Sequence, residues 1–194
     1  MKKVGKTVLA NLVSHVFNAP AFAIYILLLI VFEEKIDSMY SLLVLSTGIL
    51  FLAFFPVVFI LIEKIRGHVD YFVSDVKKRP KFFIPPLISY FTGFSLFHAI
   101  GLKVIALYYL VFFSVSLALF IVTFRWKISV HAAGVAGPAT FLVYVYGLKF
   151  ILLYLLVPMV SWSRVKLKAH NVSQVVAGAI IAILVTFVTC IIYL

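Results

Sequence analysis

Long apolar segments separated by short polar stretches make up most of the chain. A helix that crosses the hydrocarbon core of a bilayer needs about 20 predominantly apolar residues. This pattern predicts an all-α, polytopic transmembrane helical bundle, and we expect its first hydrophobic segment to stay in the protein rather than to be removed as a signal peptide. The clearest segments are Pro20–Phe32, Tyr40–Ile62, Phe82–Leu102, Val104–Phe124 and Val175–Leu194.

Two regions leave the number of spans open at six or seven. Pro20–Phe32 is short, so either residues 4–18 extend it as a helix kinked at Pro20, which we favour, or they lie along the interface as an amphipathic lead-in. The segment His131–Ser161 is nearly uncharged. As one helix it would be about 46 Å long, more than a bilayer requires. As two short helices broken at Gly147, it would cross the bilayer twice, so that both of its ends lie on the same face. This interpretation gives seven spans.

The composition supports one membrane domain covering residues 1–194. Apolar residues make up 65% of the chain and charged residues 12%, with a mean hydropathy of +1.21, whereas soluble chains are about half apolar and a quarter charged. Too few polar residues remain for a separate soluble domain, so a site must be built at the ends of membrane helices. Because Cys190 is the only cysteine, we expect neither an intrachain disulfide nor a cysteine-based zinc site.

The net charge of +11 comes from 17 basic and 6 acidic residues. Such a surplus suits nucleic acid, anionic lipid or an anionic substrate, but without a soluble basic domain we expect no nucleic-acid partner. The positive-inside rule predicts that the basic face is cytoplasmic, although residues that bind an anion would produce the same bias. With seven spans, 14 of the 17 basic residues share that face: Lys2, Lys3, Lys6, Lys64, Arg66, Lys77, Lys78, Arg79, Lys81, Arg125, Lys127, Arg164, Lys166 and Lys168.

Three polar clusters lie at helix boundaries, and seven spans place all of them on this face. They are residues 74–80, 127–131 and 163–174. Together they contain arginines, lysines, serines and histidines with few carboxylates, which is a set suited to a multiply charged oxyanion such as phosphate. Phosphoryl transfer requires positioning and charge neutralisation, which guanidinium groups supply without a metal. One histidine can attack phosphorus while another protonates the leaving oxygen, so we expect no cofactor.

Arg79-Pro80, Ser129 with His131, and Ser163-Arg164 with His170 stand in the order and at the separations of a three-part signature. The signature reads K-x6-R-P, P-S-G-H and S-R-x5-H-x3-D. On these residues, about 70–185 of the chain resemble the type 2 phosphatidic acid phosphatase (PAP2) superfamily, whose lipid phosphatases share a helical core with vanadium haloperoxidases. The third element is the specific one, since it matches at every position except the final Asp.

The resemblance implies a role for each matching residue. His170 would be the nucleophile that forms a phosphohistidine, and His131 would be the general acid for the leaving group. Arg79, Arg164 and Ser129 would bind the phosphoryl oxygens. The resemblance also implies that the reaction needs no metal.

The chain departs from the signature in its first two elements. Phe72 stands where the leading Lys is expected, so Lys78 or Lys77 takes that part, or no residue does. Ile128 and Val130 replace Pro and Gly, and a Val excludes the positive-φ geometry that a Gly allows.

The third departure is Gln174, which stands where an Asp would orient the nucleophile. One helical turn separates it from His170, so contact is geometrically reasonable. A Gln carbonyl can accept the imidazole proton, but it cannot stabilise an imidazolium by charge. Asp75 or Asp70 could supply that charge, and we treat Asp75 and Ser163 as candidates for a supporting shell.

These observations predict an integral membrane phosphatase that acts on a lipid-borne phosphate or diphosphate, of the isoprenoid diphosphate or phosphatidate type. A rim of Phe82, Phe83 and Trp126 suits an amphiphile better than a sugar phosphate. A lipid phosphotransferase would use the same residues. A non-catalytic transporter or lipid-binding protein that keeps the anion site is the alternative from another class.

Overall fold

The computed structural model describes residues 2–68, 73 and 75–194, with side chains from residue 7 onward except at residue 76. No strand occurs among these residues, which confirms the all-α prediction. A π-helical segment, Ile49–Phe54, joins the helices Ser38–Gly48 and Phe55–Ile65, and 3-10 helices cover Val76–Lys78, Pro80–Phe83 and Leu148–Leu155. The α-helices of the described residues are α1 (Lys2–Val16), α2 (Ala19–Glu33), α3 (Ser38–Gly48), α4 (Phe55–Ile65), α5 (Ile84–Ala99), α6 (Lys103–Thr123), α7 (Val130–Tyr146), α8 (Leu156–Lys166) and α9 (Val172–Tyr193).

Five helical segments of the described chain are long and apolar enough to cross a membrane, so the protein is an integral membrane protein. The bent pair α1–α2 gives a sixth candidate, and the 17-residue α7 is a shorter apolar helix. The described helices thus support five spans, or six with the bent pair, and the seventh predicted span, on α7, stays a prediction. The five long segments are Ser38–Ile65, Pro80–Ala99, Lys103–Thr123, Leu148–Lys166 and Val172–Tyr193.

The first predicted kink is present, but it lies before Pro20 rather than at it. The axes of α1 and α2 differ by 51°, and Asn18 caps the second helix, since its side-chain oxygen accepts a hydrogen bond from the Ala21 amide at 2.9 Å. Pro20 occupies the first turn of α2, where its missing N–H breaks no helical hydrogen bond.

The region 131–161 folds as two antiparallel segments, so the alternative of a single long helix is wrong. Gly147 ends α7 with a φ of 88°, which reverses the chain. The returning 3-10 helix packs against α7, and the Tyr154 and Thr140 hydroxyls lie 2.7 Å apart. Because a 3-10 helix rises about 2.0 Å per residue, Leu148–Leu155 lengthens the path of the short α8 across the bilayer.

Small residues allow α7 to pack closely against its neighbours. An added Cβ at Gly134 would lie 2.3 Å from the Cβ of Ala19 in α2. One at Gly178 of α9 would lie 2.6 Å from the carbonyl oxygen of Ser129, the residue that precedes α7. These contacts bring the start of α2, the start of α7 and the first turns of α9 together.

The other end of the bundle has its own polar contacts. Lys149 forms an ion pair with Glu33 at 2.5 Å, and the Tyr146 hydroxyl donates a hydrogen bond to Glu34 at 2.8 Å. These contacts join the carboxyl end of α2 to the carboxyl end of α7. Both helices therefore begin at one surface of the bundle and end at the other.

We expect Gly178→Ala to destabilise the protein by about 1–3 kcal/mol, because the new methyl group meets backbone atoms of Ser129 that cannot move independently. Thermal unfolding in one detergent measures the effect. Gly137→Ala is the matched control, since its Cβ would lie 3.2 Å from the Thr186 hydroxyl oxygen, on a side chain that can adjust. Equal melting temperatures for the two variants would contradict the prediction.

Candidate active site

The amino-terminal end of α7 carries the second predicted cluster. Ser129 is buried and caps the helix, because its Oγ accepts a hydrogen bond from the Ala132 amide at 3.3 Å. The Ser129 amide donates to the carbonyl of Gln174 at 3.2 Å, which ties this turn to α9. Val130 already has helical backbone geometry, so the left-handed conformation that a Gly would allow is not needed here.

Arg79 lies between two 3-10 helices and is nearly buried, with 7% of its surface exposed. Its Nη2 donates a hydrogen bond to the carbonyl of Ile128 at 3.1 Å. On the other side, Lys81 Nζ binds the buried Glu63 carboxylate at 2.6 Å, which ties the segment to the end of α4. The side chain of Arg79 therefore binds the backbone just before α7, and the neighbouring Lys81 anchors the same segment to α4.

The carboxyl end of α8 turns sharply and brings His170 back toward Arg164. Lys168 has a φ of 55°, the left-handed geometry that commonly ends helices. The amides of Ala169 and His170 both donate to the carbonyl of Arg164, at 3.0 and 3.3 Å. The Ser-Arg pair and the histidine of the third element thus share one compact turn.

A capping box at the start of α9 orients the imidazole of His170. Asn171 Oδ1 accepts from the Gln174 amide at 2.9 Å, and the Asn171 amide donates to Gln174 Oε1 at 3.1 Å. The same Oε1 lies 3.2 Å from His170 Nδ1. A carbonyl oxygen only accepts, so Nδ1 must carry the proton and Nε2 keeps its lone pair. The contact expected one helical turn after His170 is present.

Positive charge and burial keep His170 neutral. Desolvation, followed by the nearby guanidinium groups of Arg79 and Arg164, lowers the pKa of the imidazole from 6.5 to about 3. At neutral pH the ring is therefore in the unprotonated form that a nucleophile requires.

One cavity of about 610 Å³ connects these elements. Its lining includes Arg79, His131, Arg164 and His170, so residues from all three predicted clusters border the same space. Arg79 and Arg164 are also near enough to His170 to lower its pKa. Within the described part of the chain, no three His, Cys, Asp or Glu side chains are grouped so that they could hold a metal ion. Much of the wall is apolar and includes Ala53, Val57, Leu61, Phe82, Phe83 and Pro86.

A family model described as the PAP2 superfamily matches residues 68–194, more than half of the chain. The chain belongs to the PAP2 superfamily. No curated protein and no solved structure matches it. PAP2 proteins are generally phosphatases with a helical membrane fold, and the apolar helices agree with a membrane protein of the phosphatase type.

Several predicted site residues are not among the lining residues of the cavity, including Ser129 and Gln174. Lys78 is exposed, and its Nζ donates to the carbonyl of His68 at 3.0 Å. Asp75 is also exposed and accepts a hydrogen bond from the Lys77 amide at 3.0 Å, which stabilises the adjacent 3-10 turn. Their roles in phosphate binding and support stay predictions.

Other predicted residues stabilise the surroundings or lie outside the described chain. Ser163 is buried and donates to the carbonyl of Val160 at 2.8 Å, within α8. Of the three predicted rim residues, Phe82 and Phe83 line the cavity and Trp126 does not. Phe72 and Asp70 lie outside the residues that the structure describes.

Motif matching missed the contribution of the amino-terminal helices. Arg164 Nη1 donates a hydrogen bond to Ser14 Oγ at 2.6 Å, and residues 18–21 line the cavity. Ser14 and residues 18–21 lie outside the region that matches the PAP2 family. The available signal was the run of polar residues Ser14, His15 and Asn18 inside an apolar segment, because polar groups at membrane depth commonly mark functional sites.

The low pKa of His170 predicts that the folded protein loses stability in acid. The unfolded chain takes up a proton on this imidazole below pH 6.5, whereas the folded chain stays neutral down to about pH 3. The contribution of neutral His170 to folding stability is therefore complete above the unfolded pKa, and it declines as the pH falls from that value toward the folded pKa. Melting temperatures at about pH 7.5 and about pH 4.5 should differ more for wild type than for His170→Gln. An equal difference would contradict the assignment, and His98→Gln, outside the cavity, is the control.

Proposed function

We propose that this protein is a membrane-embedded phosphatase that hydrolyses a lipid-borne phosphate or isoprenoid diphosphate through a phosphohistidine, without a metal. The observation that supports it is a single cavity whose lining combines two histidines and two arginines with many apolar side chains. The cations suit the phosphate headgroup, and the walls suit the hydrocarbon tail. From the positive-inside bias, we propose that the site faces the cytoplasm.

The proposed reaction has two steps at the same phosphorus atom. His170 Nε2 attacks phosphorus, the bond from phosphorus to the leaving oxygen breaks, and His131, which enters this step as an imidazolium, donates a proton to that oxygen and becomes neutral. Water then attacks the phosphohistidine, His131 accepts a proton from the water, and inorganic phosphate leaves while Nε2 regains its lone pair. Each step is a displacement that conserves charge and atoms without an additional reagent.

The surrounding groups stabilise the charge that develops on phosphorus. Arg79 and Arg164 provide N–H donors and positive charge for the equatorial oxygens. Ser129 lies at the amino-terminal end of α7, where the helix dipole favours an anion. Gln174 holds the Nδ1–H tautomer of His170, as the hydrogen-bond geometry requires.

We expect His170→Ala to lower phosphate release by at least about a thousandfold, because the covalent route is removed. Release of inorganic phosphate from dioleoyl phosphatidate and farnesyl diphosphate measures this in detergent, with and without EDTA. His98→Ala is the control, since His98 is outside the cavity and bonds the Tyr193 hydroxyl at 2.9 Å. Substantial release by the folded variant, or loss of wild-type release with EDTA, would reject the mechanism. Transfer of the phosphoryl group to an added lipid alcohol would instead identify a phosphotransferase.

Gln174→Glu tests the departure from the family signature. Glu has the same length as Gln, so it keeps the capping box and adds a negative charge beside His170 Nδ1. We expect the pKa of His170 to rise and kcat to increase several-fold, because the imidazolium character that develops during attack is stabilised. Imidazole NMR titration and initial rates measure the two effects. Gln174→Leu, which removes the acceptor, should lower kcat; a fall in kcat for both variants would mean that the neutral amide itself is required.

A further inference from the structure

We infer that Ser14 is a positioning residue of the phosphate site, and that the amino-terminal helix α1 completes a site that the family-matched region does not build alone. The inference rests on the proposed function. Its basis is the hydrogen bond from Arg164 Nη1 to Ser14 Oγ, which is 2.6 Å long. The two residues are 150 positions apart in sequence, so only tertiary packing brings them together.

Both partners are shielded from solvent. Ser14 is 6% exposed and Arg164 is 2% exposed. A buried guanidinium requires acceptors for its N–H groups, since leaving them without hydrogen bonds is costly in an apolar surrounding. The short contact therefore constrains the direction in which the Arg164 side chain points.

The packing of α1 places this hydroxyl with little freedom. Ala10, Val13 and Ser14 lie on one face of the helix, since positions i, i+3 and i+4 are neighbours, and all three are buried. Helix α1 packs against α8, which carries Arg164. The opposite face, with Val8, Leu9 and Leu12, is exposed and apolar, as expected for a helix in contact with lipid.

The corner after α1 fixes the end of the helix. Asn18 Nδ2 donates to the carbonyl of His15 at 2.7 Å, and Asn18 also caps α2. The first residue of α2, Ala19, is in close contact with Gly134 of α7. One short corner thus connects Ser14 to the start of α7, where Ser129 and His131 lie.

A hydroxyl is chemically suited to this place. It accepts a hydrogen bond from the guanidinium and so orients Arg164, and it adds no negative charge to the site. A carboxylate at position 14 would bind Arg164 more strongly but would repel an incoming phosphate. The hydroxyl therefore positions the cation for an anionic ligand.

The test uses the full chain in lipid nanodiscs and measures orthovanadate binding, together with KM and kcat for dioleoyl phosphatidate and farnesyl diphosphate. We expect Ser14→Ala to weaken vanadate binding and raise KM by about tenfold, and Ser14→Thr, which keeps the hydroxyl, to restore both. Ser14→Asp should weaken vanadate binding further. Ser89→Ala is the matched control: its side chain is 5% exposed and its hydroxyl donates to the Phe51 carbonyl, also at 2.6 Å.

Coupling to Arg164 separates positioning from general stability. If Ser14 acts through Arg164, Ser14→Ala should have almost no further effect on vanadate binding in an Arg164→Lys background. Additive effects, or a loss of binding for Ser14→Ala no larger than for Ser89→Ala, would overturn the inference. If wild type binds vanadate and releases phosphate while Ser14→Ala equals it, only this inference fails. If wild type does neither, the proposed function fails and removes the basis of the inference.

Discussion

The burial of two guanidinium groups inside an apolar helical bundle is the constraint on which the rest of the site depends. Buried charged groups are costly unless hydrogen-bonded, and Arg79 and Arg164 are almost fully buried. The Ile128 carbonyl and the Ser14 hydroxyl accept from them. Both acceptors are uncharged, so they orient the guanidinium groups without adding negative charge. The arrangement stabilises both side chains and keeps their positive charge, which suits the site to an anion.

The same charges determine the state of His170. Its neutrality follows from burial and from the guanidinium groups, so in the proposed mechanism the features that would bind phosphate also keep the proposed nucleophile unprotonated. Gln174 contributes through hydrogen bonds: one carbonyl oxygen accepts from the Asn171 amide and from Nδ1 of His170. In this setting a Gln serves both helix capping and tautomer selection. The capping box explains how the chain can orient the imidazole without the Asp of the family signature.

The sequence predicted most of the fold, because apolar periodicity and length determine spans directly. It left 131–161 open, since only the reversal at Gly147 distinguishes two short segments from one long helix. Motif spacing located Arg79, His131, Arg164 and His170, which the cavity brings together. The sequence could not predict whether Lys78 and Asp75 reach the site, because local 3-10 turns determine where their side chains lie. The polar residue Ser14 stood out within an apolar segment, but its partner Arg164 was not predictable, since their contact depends on packing between helices far apart in sequence.

The cavity draws on two parts of the chain that differ in their relation to the family. The arginines and histidines of its lining come from the region matched to the PAP2 superfamily, residues 68–194. Much of the apolar wall comes from earlier residues, including Ala53, Val57 and Leu61 of the π-helical segment and α4. Because a headgroup and a tail make different demands, one on charge geometry and the other on shape, the two can be adjusted separately. In the proposed function, the phosphoryl chemistry and the fit to a lipid tail would thus depend on different residues of the same pocket.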